Sequence, residues 1–291
     1  HESSKINAAL DVLTSKQLTY IQDGALWFKA ESLGDEKDRV LIKADGSFTY
    51  FAVDIAYHYD KLQRGFSKLV NIWGADHHGY IKRVKLAVAA LVDNSIDMDS
   101  NFVIKIGQLV NLIRDGEPVR MSKRTGDMIT LQEVVEEIGA DAIRYFLIEK
   151  SSDTHVEFDL NLAKSQTAEN PVYYIQYAHA RLSSILRRFD SLPELTQSFD
   201  SLSLDPQERR LVFYVVQFED ELWEAASLLS PYRVALYALQ LSRTFHHFYE
   251  ACPILKADQV TQQKRLIIIQ KVKYVLSECL TILGINAPDS M

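Results

Sequence analysis

The spacing of apolar residues changes near Asn170 and divides the chain into two kinds of fold. Beyond this residue, apolar side chains recur at intervals of three and four, at positions 175, 178, 182, 185 and 189 and again within 211–229, 234–252 and 269–283. An α-helix with one buried face has this periodicity, so a bundle of amphipathic helices is predicted there. Before Asn170, short β-rich runs alternate with helical segments, which is typical of a parallel α/β fold. The predicted class is α/β followed by all-α.

The alternation of strands and helices is clearest between residues 48 and 106. It follows a predicted helix over 8–13 and strands over 18–21, 26–28 and 40–43, the last of which precedes a hairpin turn at 44–47. The predicted elements are strands over Phe48–Phe51, Leu69–Trp73 and Phe102–Ile106, a helix that Asp54 caps and that runs to about Leu62, and a helix over Tyr80–Val92. Ligands of such sheets bind beyond the carboxyl ends of the strands, which points to the segment Gly74–Gly79.

The middle of the chain is predicted to be less regular. Residues 109–130 are expected to form a loop. Thr130 and Glu133 form a capping box that opens a helix, Gly139 ends that helix, and Asp141 is predicted to cap the next one. At roughly 100–200 residues per domain, the length of 291 residues suggests about two domains.

The composition excludes several classes of protein. With 47% hydrophobic and 24% charged residues over 291 positions, the chain is not a wholly disordered one. No apolar run reaches the ~18 residues of a membrane span. Two cysteines, Cys252 and Cys279, cannot build a disulfide framework or a four-thiolate zinc site, so a reducing, cytoplasmic environment is expected. The net charge of −7 argues against a non-specific nucleic-acid coat but allows a local basic face. Because the chain starts with His1 rather than Met, we expect part of the protein to be missing.

A basic loop, Arg120–Gly126, carries the strongest local signal. Two arginines and a lysine lie within five residues on a polar segment that a glycine closes. Such a loop can form a movable cationic clamp for the charge that develops on a leaving polyphosphate. A solvated basic turn is the alternative.

The segment Gly74–Gly79 reads Gly-Ala-Asp-His-His-Gly. A metal site made of Asp76, His77 and His78 is conceivable, although adjacent histidines point in different directions. The plain alternative is a strand-to-helix turn with Asp76 as its cap.

One flank of the helix that opens at Pro171 combines aromatic and basic side chains. Its members lie one residue out of phase with the buried stripe, about 100° around the helix axis: Tyr174, Tyr177, Arg181, Ser184 and Arg188. This flank offers stacking faces and cations of the kind that single-stranded RNA loops require. Packing against a neighbouring helix is the alternative. Elsewhere in the bundle, Trp223, Phe245 and Phe248 are predicted to be core residues.

Several motifs together resemble one family, the arginyl-tRNA synthetases of class I. Met121-Ser122-Lys123 resembles the lysine loop of that class, usually written KMSKS, with Arg120 and Arg124 in its first and last places. The other matching blocks appear in the family's order: Gly24–Trp27, Asp45–Gly46 with Tyr50 and Asp54–Tyr57, Gly74–Gly79, Asp141–Tyr145, Asn170–Arg181 and Gly284–Met291. The His-Ile-Gly-His-type signature of the class is not found. The chain therefore resembles the C-terminal half of such an enzyme.

The resemblance implies a fold and an activity. Residues 1–112 would be the second part of a Rossmann-type catalytic domain, 113–168 a lysine-loop and stem-contact region, and 169–291 a helical anticodon-binding domain. The implied reaction is ATP-dependent ligation of L-arginine to tRNA(Arg) through an arginyl-adenylate. Mg²⁺ would accompany ATP, no metal would be tightly bound, and the protein would be a monomer. The chain by itself is expected to be inactive.

The resemblance also implies roles for individual residues. Lys123 would be catalytic, and the ATP-binding set would be Gly74, Asp76, His77, His78, Met121, Ser122, Lys123 and Arg124. Arginine would be bound by Tyr50 and Asp54, whose spacing matches the family's arginine pocket; a carboxylate can accept the paired N–H groups of a guanidinium. Tyr50 would close that pocket. The alternative is that Asp54 is a helix cap and Tyr50 a core aromatic. The anticodon would contact Tyr174, Tyr177, Arg181, Tyr249 and Met291.

Two other functions remain open from the sequence. One is a non-catalytic tRNA-binding module derived from a synthetase. The other is a metal-dependent phosphohydrolase that uses Asp76, His77 and His78.

Overall fold

The computed structural model describes residues 3–92, 97–119, 129–189 and 203–291. It divides into two compact units, with the boundary between Leu109 and Val110. The basic loop lies outside the described residues, so the roles predicted for Met121, Ser122, Lys123 and Arg124 stay predictions. The division into three domains also stays a prediction.

The first unit contains two small sheets and the helices that pack on them. Its helices and strands in the described ranges are α1 (Ser3–Ser15), β1 (Thr19–Gln22), β2 (Ala25–Phe28), β3 (Arg39–Ile42), α2 (Tyr50–Gln63), β4 (Leu69–Gly74), α3 (Ile81–Leu91), α4 (Met98–Asn101) and β5 (Phe102–Gly107). A 3-10 helix, Ala75–Tyr80, joins β4 directly to α3.

The two sheets of the first unit differ in strand direction. β1, β2 and β3 form an antiparallel sheet in that order. β4 and β5 pair in parallel, from Leu69 opposite Phe102 to Gly74 opposite Gly107, with α3 in the crossover between them. The helices and the antiparallel sheet of this unit both contribute fully buried side chains. These side chains include Leu13, Phe28, Leu41 and Ile55. The predicted strands at 69–73 and 102–106 and the parallel α/β arrangement are confirmed.

The second unit is mainly helical. Its described elements are β6 (Val110–Arg114), β7 (Glu117–Pro118), α5 (Leu131–Ile138), α6 (Ala140–Ile148), β8 (Val156–Asp159), α7 (Leu160–Lys164), α8 (Pro171–Leu186), α9 (Pro206–Val216), α10 (Phe218–Ser227), α11 (Tyr232–Ala251) and α12 (Gln259–Leu283). α8, α9, α11 and α12 share a core whose fully buried members include Ile175, Leu182, Leu211, Leu241 and Val272. The predicted bundle is confirmed. No described helix has the length and apolarity needed to cross a bilayer.

Two predictions about the start of α2 are wrong. The predicted strand there is reduced to one isolated bridge at Phe48, and the helix already begins at Tyr50. Thr49 is the cap, because its side-chain oxygen accepts a hydrogen bond from the backbone N–H of Ala52 at 3.2 Å. Asp54 therefore lies inside α2, one turn after Tyr50, and its carboxylate is not used for capping.

Two predictions for residues 109–148 are also wrong. The segment predicted as a loop contains β6 and β7, because β6 pairs in parallel with β8. The second error concerns Asp141, which lies in the first turn of α6 and does not cap it. Its carboxylate accepts hydrogen bonds from the side chains of Gln176 at 2.9 Å and Asn286 at 3.1 Å, so it joins three segments. The capping box of Thr130 and Glu133 is confirmed.

The prediction of core aromatics in the bundle is right for two residues and wrong for one. Phe245 and Phe248 are completely buried. Trp223, in contrast, is 71% exposed. The buried residue of α10 is Ala225, and Trp223 lies on another side of that helix.

A buried histidine makes the stability of the first unit depend on pH. His58 of α2 is 3% exposed, and its ring lies 5.0 Å from that of Phe102 and 6.2 Å from that of Trp73. Its Nδ1 has no hydrogen-bond partner among the described residues. Burial, with a smaller contribution from Lys61, lowers the pKa of His58 to about 4.

The free energy of unfolding should therefore fall between pH 6.5 and pH 4. In this window the unfolded chain protonates His58 and the folded chain does not, so acid favours unfolding by on the order of 3 kcal/mol. His58→Phe should remove this part of the pH dependence, because a phenyl ring suits the same aromatic contacts. Urea unfolding at pH 7 and pH 4 measures the change in the free energy of unfolding between the two pH values. His155→Gln is the control, because His155 is exposed. Equal pH dependence in His58→Phe and wild type would contradict the expectation.

Candidate functional site

Four predicted ATP-binding residues lie where β4 ends. Gly74 closes the strand, and Asp76, His77 and His78 follow in the 3-10 helix. All four are exposed. A Cβ added at Gly74 would meet no atom within 4 Å, so the backbone there is open to a flat ligand. The parallel pairing of β4 with β5 places this segment at the carboxyl edge of the pair, as predicted.

Trp73 helps to orient this segment. Its ring lies 6.3 Å from that of His77 in an edge contact and 6.0 Å from that of Tyr80. The N-cap position of the 3-10 helix is Gly74, so Asp76 does not cap it. In the described ranges of the chain, no three His, Cys, Asp or Glu side chains are grouped as metal ligands.

Tyr80 links Asp54, the residue predicted to bind the arginine guanidinium, to this segment. Its hydroxyl donates a hydrogen bond to Oδ2 of Asp54 at 2.9 Å. Burial and the neighbouring Asp54 carboxylate raise the pKa of Tyr80, so it stays a neutral donor. Among the described residues, Oδ1 of Asp54 accepts no hydrogen bond and remains available to a cation. We call Asp54, Gly74, Asp76, His77, His78 and Tyr80 the β4 site.

Tyr50 is exposed at the start of a helix, which contradicts only the alternative of a core aromatic. It begins α2 and lies one turn before Asp54, as the spacing predicts. Its side chain is 92% exposed, so it is not a core aromatic. Its predicted role in binding arginine stays a prediction.

A cleft in the second unit collects most of the predicted anticodon residues. It has a volume of about 650 Å³ and runs between α8, the end of α11, the loop after it and the last residues of the chain. Its lining includes Tyr177, Arg181, Tyr249 and Met291. We call it the α8 cleft. Tyr174 does not line it and packs instead on His246, with ring centroids 4.7 Å apart.

Arg181 lies between two aromatic rings of the α8 cleft. Its guanidinium is 4.7 Å from the ring centroid of Tyr177 and 4.9 Å from that of Tyr249. It also donates a hydrogen bond to the hydroxyl of Tyr177. A guanidinium on an aromatic face gains cation–π attraction and keeps its charge.

The cleft is positively charged. Besides Arg181, its lining includes Arg187, Arg188 and Lys256. Within the ranges that the structure describes, none of these four cations forms a salt bridge with a carboxylate. Cations without a carboxylate partner next to partly exposed rings suit a single strand of nucleic acid, because phosphates need charge and bases need stacking faces.

Aromatic rings continue behind the cleft. Tyr177 stacks with Tyr173, with centroids 6.3 Å apart and ring planes 9° from parallel, and with His246 at 5.8 Å and 20°. Burial, with smaller contributions from Arg181 and His247, lowers the pKa of His246 to about 4. His246 is therefore neutral near pH 7 and supports the tyrosines as an aromatic ring without adding charge.

Two family models match the chain. The model described as the class I tRNA synthetase (R) catalytic domain matches residues 2–186. The model described as the DALR anticodon binding domain matches residues 175–291. Together the two models cover the α/β part and the helical bundle.

Known relatives agree with these models. An arginine–tRNA ligase of Desulforamulus reducens is 46% identical over 295 residues, and one of Geobacillus kaustophilus is 47% identical over 298. The chain belongs to the arginyl-tRNA synthetase family. It aligns over 100% of its own length and 52% of each relative, so it spans about half the length of the curated relatives it matches. A Campylobacter jejuni structure described as an arginyl-tRNA synthetase has a TM-score of 0.89 at 36% identity, covering 99% of this chain and 62% of that one.

Membership in the arginyl-tRNA synthetase family confirms the predicted fold class, a class I catalytic fold followed by a helical anticodon-binding domain. The roles of individual residues stay predictions that the contacts above support. Four residues near the two sites were not predicted from the sequence: Tyr80, Arg187, His246 and Lys256. Tyr80 directly follows the matched segment Gly74–Gly79, which is the one sequence signal that could have drawn attention to it.

Proposed function

We propose that the protein to which this chain belongs ligates L-arginine to tRNA(Arg) at the expense of ATP. The observation that carries the proposal is the α8 cleft, in which stacking rings and unpaired cations line one surface. The chain would supply the second part of the catalytic fold and the surface that reads the anticodon. We also propose that it acts in the cytoplasm and as a monomer.

The reaction consists of two displacements. In the first, the carboxylate of arginine attacks the α-phosphorus of ATP; an acyl–phosphate bond forms, and the bond to pyrophosphate breaks. In the second, a terminal ribose hydroxyl of the tRNA attacks the acyl carbon, and AMP leaves. The carboxylate is already ionised, so the first step needs alignment and neutralisation of charge rather than a general base. Mg²⁺ enters with ATP as part of the substrate.

The β4 site would bind both small substrates. Oδ1 of Asp54 can accept N–H groups of the arginine guanidinium, and Tyr80 fixes the carboxylate through Oδ2. The open backbone at Gly74 leaves room for the adenosine. Asp76 and the two histidines would then bond the ribose or the phosphates.

The α8 cleft would bind the anticodon loop. Unstacked bases can pack on Tyr177 and Tyr249, while Arg181 and the other cations contact the phosphates. Tyr174 would act from behind the cleft, through His246.

Tyr177→Ala should weaken binding of an anticodon stem-loop of tRNA(Arg) by about 10- to 100-fold. The estimate follows from the loss of one base–aromatic stack, worth about 1–3 kcal/mol. The measurement is fluorescence anisotropy of a labelled stem-loop titrated with this 291-residue chain.

Tyr274→Ala is the matched control. Tyr274 is a 59% exposed tyrosine of α12 that does not line the cleft. The proposal is wrong if wild type binds no stem-loop, or if Tyr177→Ala binds as tightly as Tyr274→Ala.

A further inference from the structure

The segment after α12, residues 284–291, lies along α8 and is held there by side chains. Gln176 donates a hydrogen bond to the carbonyl of Asn286 at 3.0 Å. Nδ1 of His179 lies 2.8 Å from the carbonyl oxygen of Pro288. The Oγ of Ser183 donates to Oδ1 of Asp289 at 2.7 Å. These three α8 residues are spaced by three and four, so they form one line along the helix.

The same helix carries the cleft on an adjacent flank. Tyr177 and Arg181 belong to that flank, and Ser290 and Met291 line the cleft beside them. Each contact with α8 thus sets the register of residues 284–291 against the aromatic flank. The position of Met291 in the cleft follows from that register.

Of the residues that contact α8 from this segment, Asp289 is the one nearest to Met291 in sequence. Its carboxylate accepts hydrogen bonds from Ser183 of α8, which is 2% exposed, and from Nζ of Lys273 of α12 at 3.0 Å. The hydrogen bond from Ser183, with the bond and charge of Lys273, lowers the pKa of Asp289 to about 2. The carboxylate is therefore charged at neutral pH and joins two helices of the bundle.

Met291 is presented to solvent rather than packed away. Its side chain is 56% exposed although it lines the cleft. An exposed, flexible thioether next to stacked rings can pack against an unstacked base. For this contact the methionine must be held at the cleft before RNA arrives, because ordering it on binding would cost affinity.

We propose that Asp289 is a positioning residue for the RNA loop: its bonds to Ser183 and Lys273 hold Met291 at the wall of the α8 cleft. The inference rests on the proposed function, because it assumes that the cleft binds an anticodon loop. Asp289 itself need not touch RNA. The contacts of Asn286 and Pro288 lie upstream and do not involve Asp289, so its replacement would release Met291 without detaching residues 284–288.

A double-mutant cycle tests the proposal. Asp289→Ala should weaken binding of the anticodon stem-loop about fivefold to tenfold, because the loss of one contact of ordinary hydrogen-bond strength has an effect of this size. Met291→Ala should have a similar effect. Because Asp289 acts through Met291, the double variant should bind no more weakly than Met291→Ala alone.

Controls keep the outcomes distinct. Asp220→Ala removes an exposed carboxylate of α10 away from the cleft and should bind like wild type. If Asp289→Ala unfolds more readily than wild type, Asp289→Asn takes its place in the cycle, because it keeps the volume and loses the charge. Wild-type affinity in the Asp289 variant, or effects of the two single variants that multiply in the double variant, would overturn the inference and leave the proposed function standing. If the wild-type chain does not bind the stem-loop, the inference about Asp289 and the proposed function are both wrong.

Discussion

Replacing Glu208 with glutamine should lower the free energy of unfolding by about 3–5 kcal/mol, the cost of removing one partner from a buried ion cluster. Glu208 of α9 is completely buried. Its carboxylate accepts hydrogen bonds from Nε of Arg265 at 2.7 Å and lies 2.6 Å from Nζ of Lys264, both on α12. The same side chain bonds the backbone N–H of Asp205 in the capping box of α9.

The charge of Glu208 explains the size of the effect. Burial alone would raise its pKa, but the hydrogen bonds from Lys264 and Arg265 outweigh burial and lower it. Glutamine would keep the shape and leave two largely buried cations without their anion. The cap of α9 and the contact between α9 and α12 would weaken together.

Urea unfolding followed by circular dichroism measures this loss. Glu224→Gln is the matched control, because Glu224 pairs with Arg233 at a side chain that is 51% exposed. An exposed pair of this kind contributes about 0–1 kcal/mol. A loss below 1 kcal/mol in Glu208→Gln would show that the buried cluster does not stabilise the bundle.

Hydrophobic spacing was sufficient to predict the helices of the bundle, and it could also have placed Trp223 correctly. The predicted stripe of α10 runs through Phe218, Leu222 and Ala225, and Trp223 lies about 100° away from Leu222 around the axis. The residue type of Trp223 favours burial, but its phase in the helix predicts exposure. The phase of a residue in a helix is therefore the better guide to its burial here.

The start of α2 could not be derived from local sequence. Thr49 and Asp54 are both residues that cap helices well. The choice depends on β3, because the hydroxyl of Thr49 also donates to the carbonyl of Val40 at 2.9 Å. A contact across nine residues selects the cap, and this frees the Asp54 carboxylate for the β4 site.

Most residues proposed for the two sites carry a local sequence signal, whereas the side chains around them do not. Tyr177, Arg181 and Met291 belong to segments with recognisable letters or spacing, and the fold brings them into one cleft with Tyr249. Tyr80 and His246 act through side chains that meet them from other elements. Such neighbours depend on packing between distant segments, which no local pattern encodes.

Replacing Lys123 with alanine should slow formation of the arginyl-adenylate about 10²- to 10³-fold, the usual cost of one preorganised group that stabilises developing charge. The prediction rests on the resemblance of the basic loop to the lysine loop of class I synthetases. As the bond to pyrophosphate breaks, negative charge accumulates on the leaving group, and a lysine ammonium can neutralise it. In the proposed reaction arginine attacks as a carboxylate that is already ionised, so the rate depends on neutralising the charge of the leaving group rather than on a base.

The measurement is the single-turnover rate of adenylate formation in a protein that joins this chain to the remaining length of its relatives. Lys123→Arg keeps the charge with a different shape and should lose less activity than Lys123→Ala. Lys271→Ala removes an exposed lysine of α12 and should leave the rate unchanged. A charge effect on the transition state predicts a fall in the maximal single-turnover rate that added ATP cannot restore, whereas loss of ATP binding alone would raise the ATP concentration needed for half of that rate. An unchanged maximal rate in Lys123→Ala would exclude Lys123 from the chemical step and leave leaving-group stabilisation to Arg120 or Arg124.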